Sequence, residues 1–171
     1  MKKVTALSSF GFTLIELLIV IALLGALAVG LLATIDPFEQ LKKGRDTSMR
    51  NTVSEFYNAN LRYYAVRGQF PWGTGGTSGT LDSLTTTIID PLITAGELKN
   101  RFTELAGTAN LARVSLSSTS ATHMAVCFLP ESKSFQIDPN TVYDVSGTVL
   151  PANTCKGQSP PGTSDCNFCI Q

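Results

Sequence analysis

Glu16 is the one charge in the apolar run of residues 12–35, FTLIELLIVIALLGALAVGLLATI. An ionised side chain near the centre of a bilayer costs about 3 kcal/mol even on permissive insertion scales. A carboxylate there therefore calls for a cation to pair with or a proton to neutralise it. A second reactive set is Cys127, Cys155, Cys166 and Cys169. These can form disulfides, or the Cys166-x-x-Cys169 pair could join Cys155, Cys127 and His123, the one histidine, in a zinc or redox site. Structural zinc sites usually present two paired ligand motifs, and one pair is visible here. A redox Cys-x-x-Cys normally opens a helix in a βαβ setting, and no such pattern precedes Cys166. Disulfides in an oxidising exterior are the expectation. No Gly-x-Ser-x-Gly, phosphate-binding loop or nucleophile–base set is present, and Asp82, Asp90, Asp138 and Asp144 each sit near turns where aspartate caps. Neither an enzyme nor a cofactor is expected.

The elements that must carry these residues follow from the hydrophobicity. As a helix, residues 12–35 rise roughly 36 Å, enough to cross a hydrocarbon core of about 30 Å. The remaining residues, 36–171, are more polar and long enough to bury a core of their own. A formal net charge of zero argues against a basic nucleic-acid groove. Lys2 and Lys3 flank one side of the run and Lys42, Lys43 and Arg45 the other, so the positive-inside rule gives no orientation. The cysteines instead place the C-terminal domain outside. A secretory signal would explain Lys2, Lys3 and the cleavage-like Ala26-Leu27-Ala28, but the apolar run continues past that point. An uncleaved anchor would explain the length and leave Glu16 without a reason.

A short basic leader, then Gly11-Phe12-Thr13-Leu14-Ile15-Glu16, then a long apolar helix, resembles the prepilin processing motif of type IV pilins and of type II secretion pseudopilins. The resemblance implies that residues 1–11 are a leader and 12–35 a membrane and filament-core helix. Residues 36–171 would form the globular head, including the second half of the long helix. It implies that a prepilin peptidase cuts after Gly11 and methylates the new amino terminus at Phe12. Glu16 would then pair with that amine, of its own or of a neighbouring subunit. Opposite charges brought together in a low-dielectric site recover much of the energy lost on desolvation.

Within the run, Ala22, Ala26, Gly30 and Ala33 form a small-residue stripe that lets helices approach closely. Gly25 and Gly30 weaken the helix, and the family resemblance makes the stretch from Gly25 to Pro37 a candidate for melting when subunits pack. Asp36, Pro37 and Glu39 read as N-cap, first helical residue and capping-box acid. Phe38, Leu41, Met49, Val53, Phe56 and Tyr63 then predict a core-facing stripe, while Lys42, Lys43, Arg45, Arg50, Glu55, Arg62 and Arg67 predict a solvated face. Gly68 and Pro71 end the pattern, so one long helix kinked near Pro37 is expected to reach about residue 66. Residues 73–80 read as a flexible loop with Trp72, as partly buried packing, at its edge. Short helices are predicted over 81–94 and 97–105, and strands over 112–117, 122–129 and 133–138. Pro130-Glu131-Ser132 would turn the last two strands into a hairpin, and 141–145 would add a short strand.

The expected class is α+β: a pilin-like long N-terminal helix on a small antiparallel sheet, with a cysteine-bearing C-terminal loop. Four cysteines allow three pairings; Cys155–Cys166 and Cys127–Cys169 are favoured, which would resemble the disulfide-bounded tail of many pilins. The implied function is that of a structural subunit. It would sit in the inner membrane as prepilin, engage a pilus assembly platform, and polymerise into a surface filament of identical subunits. The alternatives are a type II secretion pseudopilin, or a minor tip pilin or anchored module recognising surfaces or DNA. Against the pseudopilin stands a tail with four cysteines and, after Asp144, one carboxylate, Asp165.

Overall fold

A computed structural model describes residues 11–34, 36–120, 123–157, 162 and 166–171. The chain divides into two compact units, Met1–Pro37 and Phe38–Gln171. The described part of the first unit is helix α1 (Leu14–Thr34), running unbroken through Gly25 and Gly30. Helix α2 (Pro37–Arg67) starts on the proline, whose ring fixes φ near the helical value and whose missing N–H is no loss at a first position. Residue 36, which precedes that proline, is biased away from helical geometry, so the helical signal is punctuated there.

The second unit is built on α2. Met49, Val53, Phe56 and Ala59 recur every three or four residues and are buried. They pack with Val114, Leu116, Val126, Phe128 and Phe168 of a four-stranded antiparallel sheet in one core. The strands are β1 (Thr77–Thr80), β2 (Val114–Ser120), β3 (His123–Phe128) and β4 (Phe168–Ile170), in spatial order β1-β2-β3-β4. Full burial of each large side chain, such as Phe56 or Phe128, contributes about 1.5–3 kcal/mol. Between β1 and β2 run a π-helical turn (Thr85–Ile89) and the short helices α3 (Asp90–Thr94), α4 (Phe102–Ala106) and α5 (Thr108–Leu111). Trp72 is partly buried and stacks on Phe70, with ring centroids 4.6 Å apart.

Several local expectations are corrected. Residues 133–138 form no strand: Lys133–Gln136 is helix α6, and the Ser132 hydroxyl caps it by accepting from the Phe135 N–H at 3.4 Å. The Pro130–Ser132 stretch is therefore a helix entry, and β3 finds its second partner in β4, from the tail. The glycine-rich loop is shorter than expected because Thr77–Thr80 pairs with β2 in register Thr77↔Ser118 to Thr80↔Ser115. Residues 141–145 give only isolated bridges, from Tyr143 to Val149 and Asn167. Over 97–105, regular helix begins only at Phe102. Phe38 and Leu41 lie on the predicted core stripe, but both are exposed, since the buried part of α2 starts at Asp46. Of the predicted solvated face, Arg45 pairs with Glu131 at 2.8 Å and Arg62 with Glu97 at 2.9 Å. Arg50 and Arg67 lie over the rings of Phe168 and Tyr63.

Asp46 is the main departure from a simple amphipathic helix. It is 2% exposed, and its carboxylate accepts from the N–H of Glu131, at 3.0 Å to Oδ1, and of Ser132, at 2.7 Å to Oδ2. The Ser132 hydroxyl donates to it as well, at 2.6 Å. Glu39 accepts from the Lys133 N–H, so two α2 carboxylates hold the entry to α6. Asp46→Ala strips three donors of their acceptor in a dry site and is expected to cost about 3 kcal/mol. Denaturant unfolding of the detergent-solubilised chain measures it; a loss within about 0.5 kcal/mol, the level of a surface substitution, would contradict the staple.

A loop over 143–149 lies against β3 and β4. Gly147 has φ +81°, and a Cβ there would come 2.3 Å from the Ala125 Cβ, so only glycine fits. The Asp144 carboxylate shapes the loop by accepting from the Ser146 hydroxyl at 2.6 Å and the Thr148 N–H at 2.9 Å. It also accepts from the Ser146 N–H at 2.8 Å. These bonds, the Ser146 hydroxyl first, hold the Asp144 carboxyl below its ordinary value of 3.8. A carboxyl depressed on folding contributes stability above its unfolded value and loses it as pH falls through the folded one. The Ser146 and Thr148 amide resonances should therefore titrate with a midpoint below pH 3.8. A transition centred above that pH would refute the assignment.

Candidate processing and assembly site

The residues from Gly11 to Glu16 fold into the start of α1, and a reciprocal cap makes that start. The Thr13 N–H and hydroxyl donate to Glu16 Oε2 at 3.1 and 2.9 Å. The Glu16 N–H in turn donates to the Thr13 hydroxyl at 3.3 Å. This is a capping box: Thr13 is the N-cap, Glu16 the third helical residue, and donors orphaned at the helix start are satisfied. A carboxylate also suits the positive end of the helix dipole. Thr13 is not among the residues expected at this site, although Thr-x-x-Glu before an apolar run is the signature of this cap.

Leu14–Leu32 is long and apolar enough to cross a membrane, and none of it is buried within the chain. Phe12 is 76% exposed, and the large apolar side chains of α1 face outward on every side. A helix apolar all round is built for burial against lipid or other helices. Ala22, Ala26 and Gly30 sit on this exposed helix, with open space around Gly25 and Gly30. Ala33 lies within α1, but its side chain falls outside the described residues, as do Lys2, Lys3 and the leader up to residue 10.

The cysteine chemistry is settled by geometry. Cys127 bonds Cys169, and Cys155 bonds Cys166. Cys166 and Cys169 thus take different partners, so the Cys-x-x-Cys spacing does not make a dithiol. Among the described residues no group of three or more His, Cys, Asp or Glu is placed to hold a metal. His123 is exposed at the start of β3.

Residues 8–32 match the family model described as the prokaryotic N-terminal methylation motif. The chain carries a prepilin methylation motif. No curated protein and no solved structure matches the chain. The methylation motif spans the cleavage-type glycine, Phe12, the capping box and most of α1. It supports a prepilin of the type IV pilin or pseudopilin kind, and a structural rather than catalytic role. With the apolar helix behind it, the methylation motif suits insertion into a membrane and processing by a prepilin peptidase in general.

Proposed function

We propose that the chain is the structural subunit of a type IV pilus. It is cut between Gly11 and Phe12, methylated on the Phe12 amine, and polymerised through α1 into a surface filament. The observation that carries this reading is Glu16: a carboxylate at the start of an exposed apolar span, inside a methylation motif. Cleavage would create an amine at Phe12, one residue before the N-cap that already holds the Glu16 carboxylate. In the membrane the span anchors the prepilin. In the filament the same span is the core, with the small residues Ala22, Ala26, Gly30 and Ala33 at close helix contacts. The stretch from Gly25 to Pro37 is the place where the filament can trade helix for packing.

The disulfide-tied tail supports the pilin over the pseudopilin reading through its likeness to the disulfide-bounded tail of many pilins. Intact mass of the chain recovered from membranes and sheared filaments tests the reading. The mature species is expected to begin at Phe12 and carry one added methyl group. A species starting at Met1 or Val29 would overturn it.

A further inference from the structure

The apolar stripe of α2 outruns the core that it serves. Met49, Val53 and Phe56 are buried, whereas Phe38 and Leu41, nearer the helix start, are 74% and 65% exposed. A single exposed apolar side chain is ordinary. Two of them one turn apart on a helix, with cations beside them, make a small amphipathic surface. The cations are Lys42 and Lys43, which follow directly, and Lys133, which comes to the same end of the head because Glu39 accepts from its N–H.

These lysines are not engaged inside the chain. Among the described residues the ion pairs of this region join Glu131 to Arg45 and Arg113, and none includes Lys42, Lys43 or Lys133. The nearby acids in sequence are Asp36 and Glu39, and Glu39 is turned to the entry of α6. The surface therefore offers two apolar side chains and three cations with no acidic partner. Its place in the chain limits what can meet it. Phe38 follows Leu32, the last residue of the apolar span, by six positions. An extended chain covers at most about 3.5 Å per residue, so Phe38 stays within roughly 21 Å of the end of the span in any arrangement. Once the span is in a membrane, contact with the headgroup layer is an intramolecular event at high effective concentration. Anionic headgroups attract juxtamembrane lysines, and the acyl boundary accepts Phe and Leu. A second copy suits the surface less well, since a symmetric contact would set the same lysines against one another.

We propose that this end of the head docks on the anionic phospholipid headgroups of the membrane that holds the span. Phe38 and Leu41 would enter the acyl boundary, and the ammonium groups of Lys42, Lys43 and Lys133 would pair with lipid phosphates. The docking needs the span and the head but no filament, so it goes beyond the pilus reading and can fail separately from it. A correctly processed, filament-forming chain whose head ignores anionic lipid would sink this inference and leave the other standing.

Amide NMR of the full chain in phosphatidylcholine nanodiscs, with phosphatidylglycerol added stepwise, tests it. A lipid carrying gadolinium on its headgroup reports proximity. As phosphatidylglycerol rises, the amides of Phe38, Leu41, Lys42, Lys43 and Lys133 should shift along a saturating curve and broaden with gadolinium. Those of Thr80 and Ser117 should stay unchanged. Lys42→Gln combined with Lys43→Gln, at positions that are not buried, should weaken the response about thirtyfold, the joint worth of two lysines near an anionic surface. Added salt should weaken it as well. The proposal is overturned if the shifts are independent of phosphatidylglycerol, if they map elsewhere, or if the double variant responds as the parent does. It is also overturned if they follow the number of chains per disc instead, because a second copy would then be the occupant.

Discussion

Replacing Cys127 and Cys169 together by alanine is expected to lower the stability of the head by about 4 kcal/mol. The bond closes a loop with a sequence separation of 42, and the chain-entropy relation gives about 4 kcal/mol for that length. The Cys155–Cys166 bond, with a separation of 11, comes to about 3 kcal/mol on the same relation. Loop length is only half the reason for ranking the first above the second. Cys169 lies on β4, a strand of three residues that pairs with β3 in register Cys127↔Cys169, so the bond fixes a short strand to the sheet at its centre. Phe168, next to it, enters the core 5.4 Å from Phe128 and 6.0 Å from Phe135, with the Arg50 guanidinium over its ring. Without the bond, that aromatic contact is what keeps the tail on the sheet. Guanidinium unfolding under non-reducing conditions should show the loss. Amide exchange at residues 168–170 should rise well before the rest of the sheet opens. A double variant within about 1 kcal/mol of the parent would show that Phe168 alone holds β4.

The parts of this fold that could be read from sequence are those with a strong period. Met49, Val53 and Phe56 follow from helical spacing, and β2 and β3 from runs of apolar and hydroxyl residues. Residues 133–138 misled because Lys-Ser-Phe-Gln-Ile-Asp alternates like a strand. What decides it is Ser132, whose hydroxyl caps α6 and whose N–H is held by Asp46, a residue 86 positions earlier in the chain. Such a bond leaves no local pattern. Phe38 and Leu41 failed for the opposite reason: their spacing is right, but nothing in a period tells where the opposing surface stops. β4 was invisible because three residues, Phe168–Ile170, carry no period at all and pair with a strand far back in the chain, Cys169 opposite Cys127.

At the candidate site the reading was closest where residue type alone limits the chemistry. An isolated carboxylate in an apolar span demands a partner, and a glycine followed by Phe12 and that carboxylate is a recognisable order. Thr13, a partner already present in the chain, does not stand out by charge because the cap is made of neutral donors.

Glu16 caps α1, and the charge pair with the Phe12 amine is a second, proposed role that substitution can separate from the first. The capping box contributes about 1 kcal/mol to the first turn of α1, as such caps do. A carboxylate–amine pair shielded from water contributes more, because removing one partner strands the other at a cost of about 3–5 kcal/mol. Glutamine at this position can still reach back to the N-cap amide and so preserves the cap, but it cannot neutralise a Phe12 amine. If the charge pair drives assembly, Glu16→Gln should therefore fail as badly as Glu16→Ala, with filament yield down on the order of a hundredfold. Thr13→Ala, which removes the cap and spares the charge, should assemble with only a modest loss. All three chains should still be processed to Phe12, so mass spectrometry of the membrane pool separates an assembly defect from a cleavage defect. Near-normal filaments from Glu16→Gln alongside few from Glu16→Ala would reverse the assignment. Helix capping would then be the function of Glu16, and the Phe12 amine would find its counter-charge elsewhere.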